Sequence, residues 1–454
     1  PHYDFSKAEV IVSIAADFLG SWLTTSQHDS DYSALRSPER GTQSQHFQFE
    51  SAMTLTGTNA DIRIMINPSD EGNIAAGILA ALKGSSVSNL DEHTTAKVKA
   101  AAVALKAARG KSLVIAGSND LALQTIVTAI NQTLSNYGST IDLERPSLAQ
   151  RGSDSDVAKL IQDMNDGSIE TLIIYGCNPS YDLANAVGFN SGLSKVKTSV
   201  CMNGVADETA SKTTFIAPDH HYLESWNDLS IRAGRIDIVQ PTIEPLYSTR
   251  AAQESFLVWA GAELTDWYSF LRTQYNADYT PAGMYSNADW NSAVHDGFLT
   301  EENDLVSPDY TGTIHTTIAL SEVSSRKGGN FQLSTYVKTA IGTGLHAANP
   351  MLQETPDPVS KVTWDNYVTM SRTDMEAMGL NIYIAQANPA SVVRVKSGDI
   401  TIELPAFMQP GQKPGTVSVA LGYGRGANGE FIGKAAYQTG ENGDHLVADN
   451  GLPM

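Results

Sequence analysis

The chain has 454 residues, a formal net charge of −20 at pH 7, and 41% hydrophobic against 18% charged residues. That composition describes a globular chain of roughly two to four domains and excludes a disordered one. The acidic balance argues against a nucleic-acid partner, because neutralising phosphates needs a basic face.

No apolar run reaches the roughly 20 residues that span a bilayer. The chain begins at Pro1, which points to processing or to a piece of a longer polypeptide.

Glu9–Ile14 is a short β-branched run, hence a buried strand, and it ends in Ala15-Ala16-Asp17-Phe18 rather than in glycines. His46–Glu50 and Asp61–Ile66 alternate and read as further strands. Ser69 is placed to cap a helix whose first turn holds Asp70 and Glu71, with Ile74, Ile78, Leu79 and Leu82 as its apolar face and Gly84 as its stop. Thr94–Ala107 is a second, alanine-rich helix.

Ser112–Ala116 reads as the strand that opens a new unit, followed by a turn with Asn119 as N-cap. Leu123, Ile126, Val127, Ile130 and Leu134 then form a one-face helical stripe that Gly138 stops. Ser153 caps another helix with Val157, Leu160, Ile161 and Met164 on one face, closed by Gly167.

The stretch from Ile169 to Asn227 carries the most information. A buried strand, Thr171–Tyr175, runs into Gly176-Cys177-Asn178-Pro179, and two more short strands follow at Thr198–Met202 and Thr214–Ala217. Ligands of open α/β sheets bind outside the carboxyl ends of the strands, so the Gly176-to-Pro179 turn is a candidate ligand edge.

Beyond Asp228 the pattern loosens. Ala251–Tyr268 reads as one helix. Asn276–Asp309 reads as a long surface segment suited to contact with another chain. Short runs at Val392–Val395, Asp399–Leu404 and Thr416–Leu421, separated by Gly- and Pro-rich turns, predict a small β-barrel or sandwich.

The fold class expected is α/β, with two Rossmann-like parallel-sheet domains and a C-terminal β-barrel domain. The expected division is 1–110 and 111–270 for the α/β domains, 271–360 for an irregular insert and 361–454 for the barrel.

Few constellations carry chemistry. Cys177 and Cys201 are the only cysteines; two cannot build an iron–sulfur cluster, which needs about four thiolates. They read as two buried small hydrophobes, or as a bridge if their strands are adjacent in an oxidising compartment.

His220, His221 and Glu224 lie close together, but the sequence picks out no third or fourth zinc ligand. Gly422-Tyr423-Gly424-Arg425-Gly426 resembles a phosphate loop, yet no helix follows it, and a flexible hairpin is the simpler reading. No Gly-x-Gly-x-x-Gly follows either unit's first strand, which argues against a nicotinamide-binding domain. No catalytic residue and no metal ligand is assigned.

The order of parts resembles the molybdopterin oxidoreductase superfamily. The resemblance rests on EVIVSI, DIRIMINPSDEG, SLVIAGSND, LIIYGCNP, DETASKTTFIAPDHHYLESWN and a terminal SGDITIELPAF with PGQKPGTVSVALGYG. It implies two α/β domains clasping a bis-pyranopterin guanine dinucleotide, closed by a C-terminal β-barrel.

The chain departs from that pattern where the cofactor should sit. Ala15-Ala16-Asp17-Phe18 stands for a Gly-x-Asn-Pro turn, and Phe49-Glu50-Ser51-Ala52 for an acidic or Asp-Pro-Arg signature. Glu224-Ser225-Trp226 has lost a glycine. Replacing glycine with Phe or Trp is expected to obstruct the close backbone approaches that a dinucleotide needs. Only Gly176, Asn178 and Pro179 keep the motif, as a vestigial turn.

HFQFESAMTLTGTNADIRI, NYGSTIDL, PDHHYLESWND and VQPTIEPLYSTRAAQES resemble, more narrowly, the molybdopterin-oxidoreductase-like portion of the cluster-bearing subunit of alternative complex III. That resemblance implies a cofactor-free scaffold in a bacterial quinol-oxidising complex, peripheral on the periplasmic side of the inner membrane.

Its implied partners are the iron–sulfur portion of that same subunit, a multihaem cytochrome subunit and membrane quinol-binding subunits. Iron–sulfur clusters and haems are expected in those partners and no cofactor in this chain. Two other readings stay open: a fragment of an active bis-molybdopterin guanine dinucleotide enzyme, and a free-standing substrate-binding protein.

Overall fold

A computed structural model describes residues 1–425 apart from 42, 150–151, 278–286, 301–313, 348 and 386. Four strands form the first sheet: β1 (Val10–Ile14), β2 (Gln45–Glu50), β3 (Ile62–Met65) and β4 (Ser112–Ala116). They run parallel in the order β3-β2-β1-β4.

Alternation along β1 sends Val10, Val12 and Ile14 to one face and Ile11 to the other. Helices α1 (Thr25–Ala34), α2 (Glu71–Leu82), α3 (Glu92–Ala107) and α4 (Leu121–Thr133) surround this sheet. Ile74, Ile78, Val98, Leu105, Leu123, Ile126 and Ile130 fill one face. Phe5, Phe18, Tyr32 and Ile141 fill the other. Both faces are therefore covered, as parallel strands require.

The expected division at residue 110 does not fall where the sheet ends. Ser112–Ala116 pairs residue for residue with Val10–Ile14, so this strand completes the first sheet instead of opening a second. A strand's sequence sets its burial but not its neighbour.

Local signals shift by a residue or two. Asp120, not Asn119, caps α4, accepting from the Leu123 amide at 2.7 Å. Ser69 caps nothing; its amide donates to Gln332 Oε1 at 2.9 Å, and Asp70 occupies the cap position of α2. Helix α4 ends at Thr133, and Ser135 just beyond it takes a positive φ of 58°, three residues before Gly138.

The second sheet holds β5 (Thr171–Ile174), β6 (Thr198–Cys201) and β7 (Phe215–Ile216), all parallel in that order. Helices α5 (Asp154–Asn165) and α6 (Ala186–Leu193) cover one face with Met164, Phe189 and Leu193 against Ile174 and Cys201. Ser153 caps α5 as expected. β5 is not the buried strand its composition suggests: Ile173 is 42% and Tyr175 44% exposed.

A three-stranded antiparallel sheet follows, made of β8 (Asn227–Arg232), β9 (Arg235–Val239) and β10 (Phe298–Thr300). The expected helix over 251–268 is two helices, α7 (Ala252–Trp259) and α8 (Trp267–Ala277). Gly261, at φ +69°, ends the first, and Asp266 caps the second through the Ser269 amide.

Much of the expected surface segment 276–309 lies outside the described residues. Its described part folds back onto this chain: α9 (Asn287–Asp296) buries Trp290, and β10 pairs with β9. Helix α10 (Thr316–Ser325) returns to the first sheet, where Val323 packs over Gly72.

The C-terminal sheet has five strands: β11 (Gln332–Tyr336), β12 (Val368–Met370), β13 (Val392–Ser397), β14 (Ile400–Met408) and β15 (Thr416–Ala420). Their order is β11-β15-β12-β14-β13. The sheet is curled and of mixed direction. β11 lies in the stretch expected to be irregular, yet it pairs with β15 through all five residues. Its partner in the sheet is far away in sequence, so no local pattern announces it.

Candidate functional site

The carboxyl ends of β1, β2 and β4 open onto one crevice, roofed by β11 and by residues 357–359 of the C-terminal part. The strand order reverses between β1 and β4, so this is the switch point at which open α/β sheets bind ligands. The cavity measures about 240 Å³. Asp17, Ser21, Trp22, Glu50, Met53, Tyr336 and Asp357 line it, and among the described residues no lysine or arginine does.

The geometry of this end begins with Ala15. Its φ is 52°, a left-handed conformation that favours glycine. Gly117, at the end of β4, lies so close that a Cβ there would sit 2.2 Å from the Ala15 carbonyl oxygen. The chain then turns, and Asp17 Oδ1 accepts from the Thr56 amide at 2.9 Å and the Thr56 hydroxyl at 2.8 Å. Burial pushes the Asp17 carboxyl above the usual carboxylate range; the Thr56 bonds oppose the rise, and the Asp357 charge adds to it.

Glu50 accepts from Thr54 Oγ1 at 2.6 Å and from Gln48 Nε2 at 3.1 Å, and it pairs with Arg63 behind the cavity wall. Asp357 accepts from the amides of Val359 and Ser360 at 3.0 and 2.7 Å. The cavity therefore presents three carboxylates that are each anchored by neighbouring donors.

The second candidate, the turn after β5, repeats the first in outline. Gly176 has φ +67°. Two residues on, Asn178 Oδ1 accepts from the Thr209 amide at 3.1 Å and the Thr209 hydroxyl at 2.6 Å. Pro179 starts a four-residue helical turn. Asn178 is 7% exposed and donates from Nδ2 to Glu208 Oε2 at 2.7 Å.

This end is stoppered by the C-terminal segment. Arg425 Nε and Nη2 donate to the two oxygens of Glu208 at 2.9 and 3.0 Å, a bidentate pair with side chains 9% and 10% exposed. Its remaining nitrogen donates to the Gly344 carbonyl, and its guanidinium stacks 4.8 Å from the Tyr181 ring. Tyr181 Oη donates to the Tyr423 carbonyl at 2.7 Å. Lys338, whose amine burial lowers to about 8, holds Tyr423 Oη at 2.8 Å.

The glycine-rich run from Gly422 is thus packed rather than a flexible hairpin through Arg425; residue 426 lies outside the described residues. Gly422 approaches the Gly342 carbonyl and the Gly344 amide, leaving no room for a side chain.

Cys177 and Cys201 are free thiols, the first exposed and the second buried. Burial raises both, Cys201 to about 11. The exposed Cys177 corrects the reading of two buried hydrophobes. His220, His221 and Glu224 sit in a turn rather than on a helix face: the His221 amide donates to Glu224 Oε2, and the Leu223 amide to His221 Nδ1. Among the described residues no group of three or more His, Cys, Asp or Glu could hold a metal.

Phe18 and Trp226 do not obstruct the crevice. Phe18 is fully buried in the first core, and Trp226 packs beside Ile236, Trp267 and Trp290. Glu208, Thr209, Thr56 and Asp357 are not singled out by sequence reasoning, and Arg425 enters only as a member of the glycine-rich run. The signal that could find the threonines is an Asp or Asn two residues past the positive-φ residue and a Thr after the next strand.

The bis-pyranopterin guanine dinucleotide that the resemblance implies does not fit these residues. Its pyrophosphates need donors and cations, whereas the first crevice offers carboxylates and less room than the roughly 300–1,000 Å³ of small-ligand pockets. At the second turn the guanidinium of Arg425 is already committed to Glu208.

No protein-family model matches the chain. In sequence it is 23% identical, across a 513-residue alignment, to the menaquinone reductase, molybdopterin-binding-like subunit of Nitratidesulfovibrio vulgaris; the match takes in 100% of this chain and 69% of that protein. In structure it is similar to acetylene hydratase from Pelobacter acetylenicus, with a TM-score of 0.66 at 11% identity, over 96% of this chain and 75% of that one. Acetylene hydratase is a molybdopterin oxidoreductase family member.

Proposed function

We propose, from the fold this chain shares with acetylene hydratase, that it is a cofactor-free scaffold within a quinone-linked respiratory oxidoreductase of the alternative complex III type. One observation carries this reading. Of the two strand-end crevices, one is lined by Asp17, Glu50 and Asp357 and the other is closed by the Arg425–Glu208 pair. A relative named as a molybdopterin-binding-like subunit of a menaquinone reductase supports the quinone link.

In this role the chain holds neighbours in place, and electrons pass through clusters and haems in the partners. The partners proposed are an iron–sulfur portion of the same subunit, a multihaem cytochrome and membrane quinol-binding subunits. The site of action proposed is the periplasmic face of the inner membrane. Among the described residues no helix is long and apolar enough to cross a membrane, which suits a peripheral part.

The direct test fills the first crevice. Ala52 lines it from a turn, and Ala52→Trp in the assembled complex should leave quinol oxidation within about twofold of wild type. A loss of turnover with unchanged assembly would favour the other reading, a fragment of an active molybdenum enzyme.

A further inference from the structure

The second sheet has a core of its own. Met164, Ile174, Phe189, Leu193 and Cys201 close on one another. The apolar clusters of the first sheet and of the C-terminal part draw on none of these residues.

The chain enters and leaves this body through a paired neck. Ahead of α5, the Leu148 amide donates to the Ile231 carbonyl at 2.6 Å; beyond the sheet, the Ala233 amide donates back to the Pro146 carbonyl at 3.0 Å. Arg232 pairs with Asp142 beside them at 3.3 Å. A few residues of this kind can absorb a rotation while the body beyond them stays rigid. Helix α7 goes with the body: Asp219 accepts from the Ala252 amide at 2.7 Å, and Phe256 meets the Tyr175 ring edge-on. Gly261, at φ +69°, ends α7 before α8 joins the separate cluster around Trp290.

The side chains that join this body to the C-terminal part are polar. Arg425 takes both oxygens of Glu208, and Tyr181 Oη donates to the Tyr423 carbonyl. Lys338 backs Tyr423, with its amine 4.3 and 4.9 Å from the Tyr367 and Tyr423 ring centres and donating to the Asp365 carbonyl at 3.1 Å. Domains that meet through a small polar interface move against each other unless something locks them. A buried ion pair is such a lock, because losing one partner leaves the other charged and buried, which pushes the two surfaces apart. Below the clamp, Asn178 and Thr209 bond to each other within the body, so opening it breaks no contact of the sheet.

We propose that residues 153–217 with α7 form a hinged domain, and that the Arg425–Glu208 clamp is the latch that fixes its position on the C-terminal part. The latch sets where the domain sits, not whether it is folded. Release uncovers the Gly176–Pro179 turn and turns Glu208 to water. The inference stands apart from the scaffold reading, since it needs neither a partner nor a cofactor.

Spin labels at Val187→Cys on α6 and Val103→Cys on α3, both exposed positions, report the placement in the full chain carrying Cys177→Ser. Cys201 is fully buried and stays unlabelled. With the clamp intact, the label-to-label distance should form one narrow peak. Arg425→Ala should add a second, distinct distance in about a third of the molecules or more. The Thr198 and Met202 amides, which bond to the Glu170 and Ile174 carbonyls inside the sheet, should keep their exchange rates within about twofold.

A single unchanged distance in Arg425→Ala overturns the proposal, and so do two distances already present with the clamp intact. Exchange at Thr198 and Met202 that quickens beyond that range also overturns it, because the clamp then holds the fold of the sheet instead of its position. Tyr181→Phe takes away only the bond to the Tyr423 carbonyl and covers the case in which Arg425→Ala does not fold. The second distance should then appear in a smaller fraction, and its absence overturns the latch.

Discussion

The two strand ends, Ala15–Phe18 and Gly176–Pro179, share one backbone solution and have opposite fates. Each puts a positive-φ residue first, at 52° and 67°. Each then uses the third residue's side-chain oxygen to hold both the amide and the hydroxyl of a threonine after the neighbouring strand. The first end keeps an open crevice but fills it with carboxylates. The second keeps the Gly-x-Asn-Pro letters but is closed by Arg425. The same turn can therefore face an open crevice or a closed one; what stands opposite the motif decides.

The largest break in this comparison comes at the closed end. Arg425→Ala leaves Glu208 buried without its cation and should cost about 3–5 kcal/mol in denaturant unfolding. Replacing both partners by apolar residues should recover most of that loss. A cost under about 1 kcal/mol for Arg425→Ala would mean that the stopper is not structural.

The first core should also be the acid-labile one. Burial holds His28 and His46 at about 4, each below the ordinary 6.5. The unfolded chain then binds more protons between those values, so stability falls as pH drops from about 6.5 to 4, by on the order of a few kcal/mol for the pair. His28→Phe, beside Phe5 and Trp22, should flatten the pH dependence of the unfolding midpoint over that window.

Exchanging the two turn residues sharpens the contrast further. Asn178→Asp removes the donor to Glu208 and sets two carboxylates together, for an expected loss of about 1–3 kcal/mol. Asp17→Asn keeps the acceptor for Thr56 and relieves the burden of a buried charge near Asp357, so it should lie within about 0.5 kcal/mol of wild type. Similar costs for the two would mean that the environments are alike. The smallest effect is Ala15→Gly, which should stabilise by at most about 1 kcal/mol by easing the left-handed backbone.

The sequence makes the elements legible where periodicity is local. The α4 stripe from Leu123 to Leu134 is buried as its spacing requires, and the β1, β2 and β5 runs are strands. The Gly176 turn is legible as a strand end.

Pairing is not legible. Ser112–Ala116 has the same pattern whether it starts a sheet or finishes one. Arg425 meets Glu208 across a separation of 217 residues, and no spacing encodes that contact. Phe18 and Trp226 escape sequence reasoning because a bulky residue in place of glycine reads as facing the ligand, whereas both turn into cores.

The proposed scaffold keeps the frame of this fold without holding its cofactor. Molybdenum and tungsten analysis of the complex, purified without exposure to air, tests it most directly. Neither metal should rise above background relative to the chain; one metal per chain would overturn the scaffold reading.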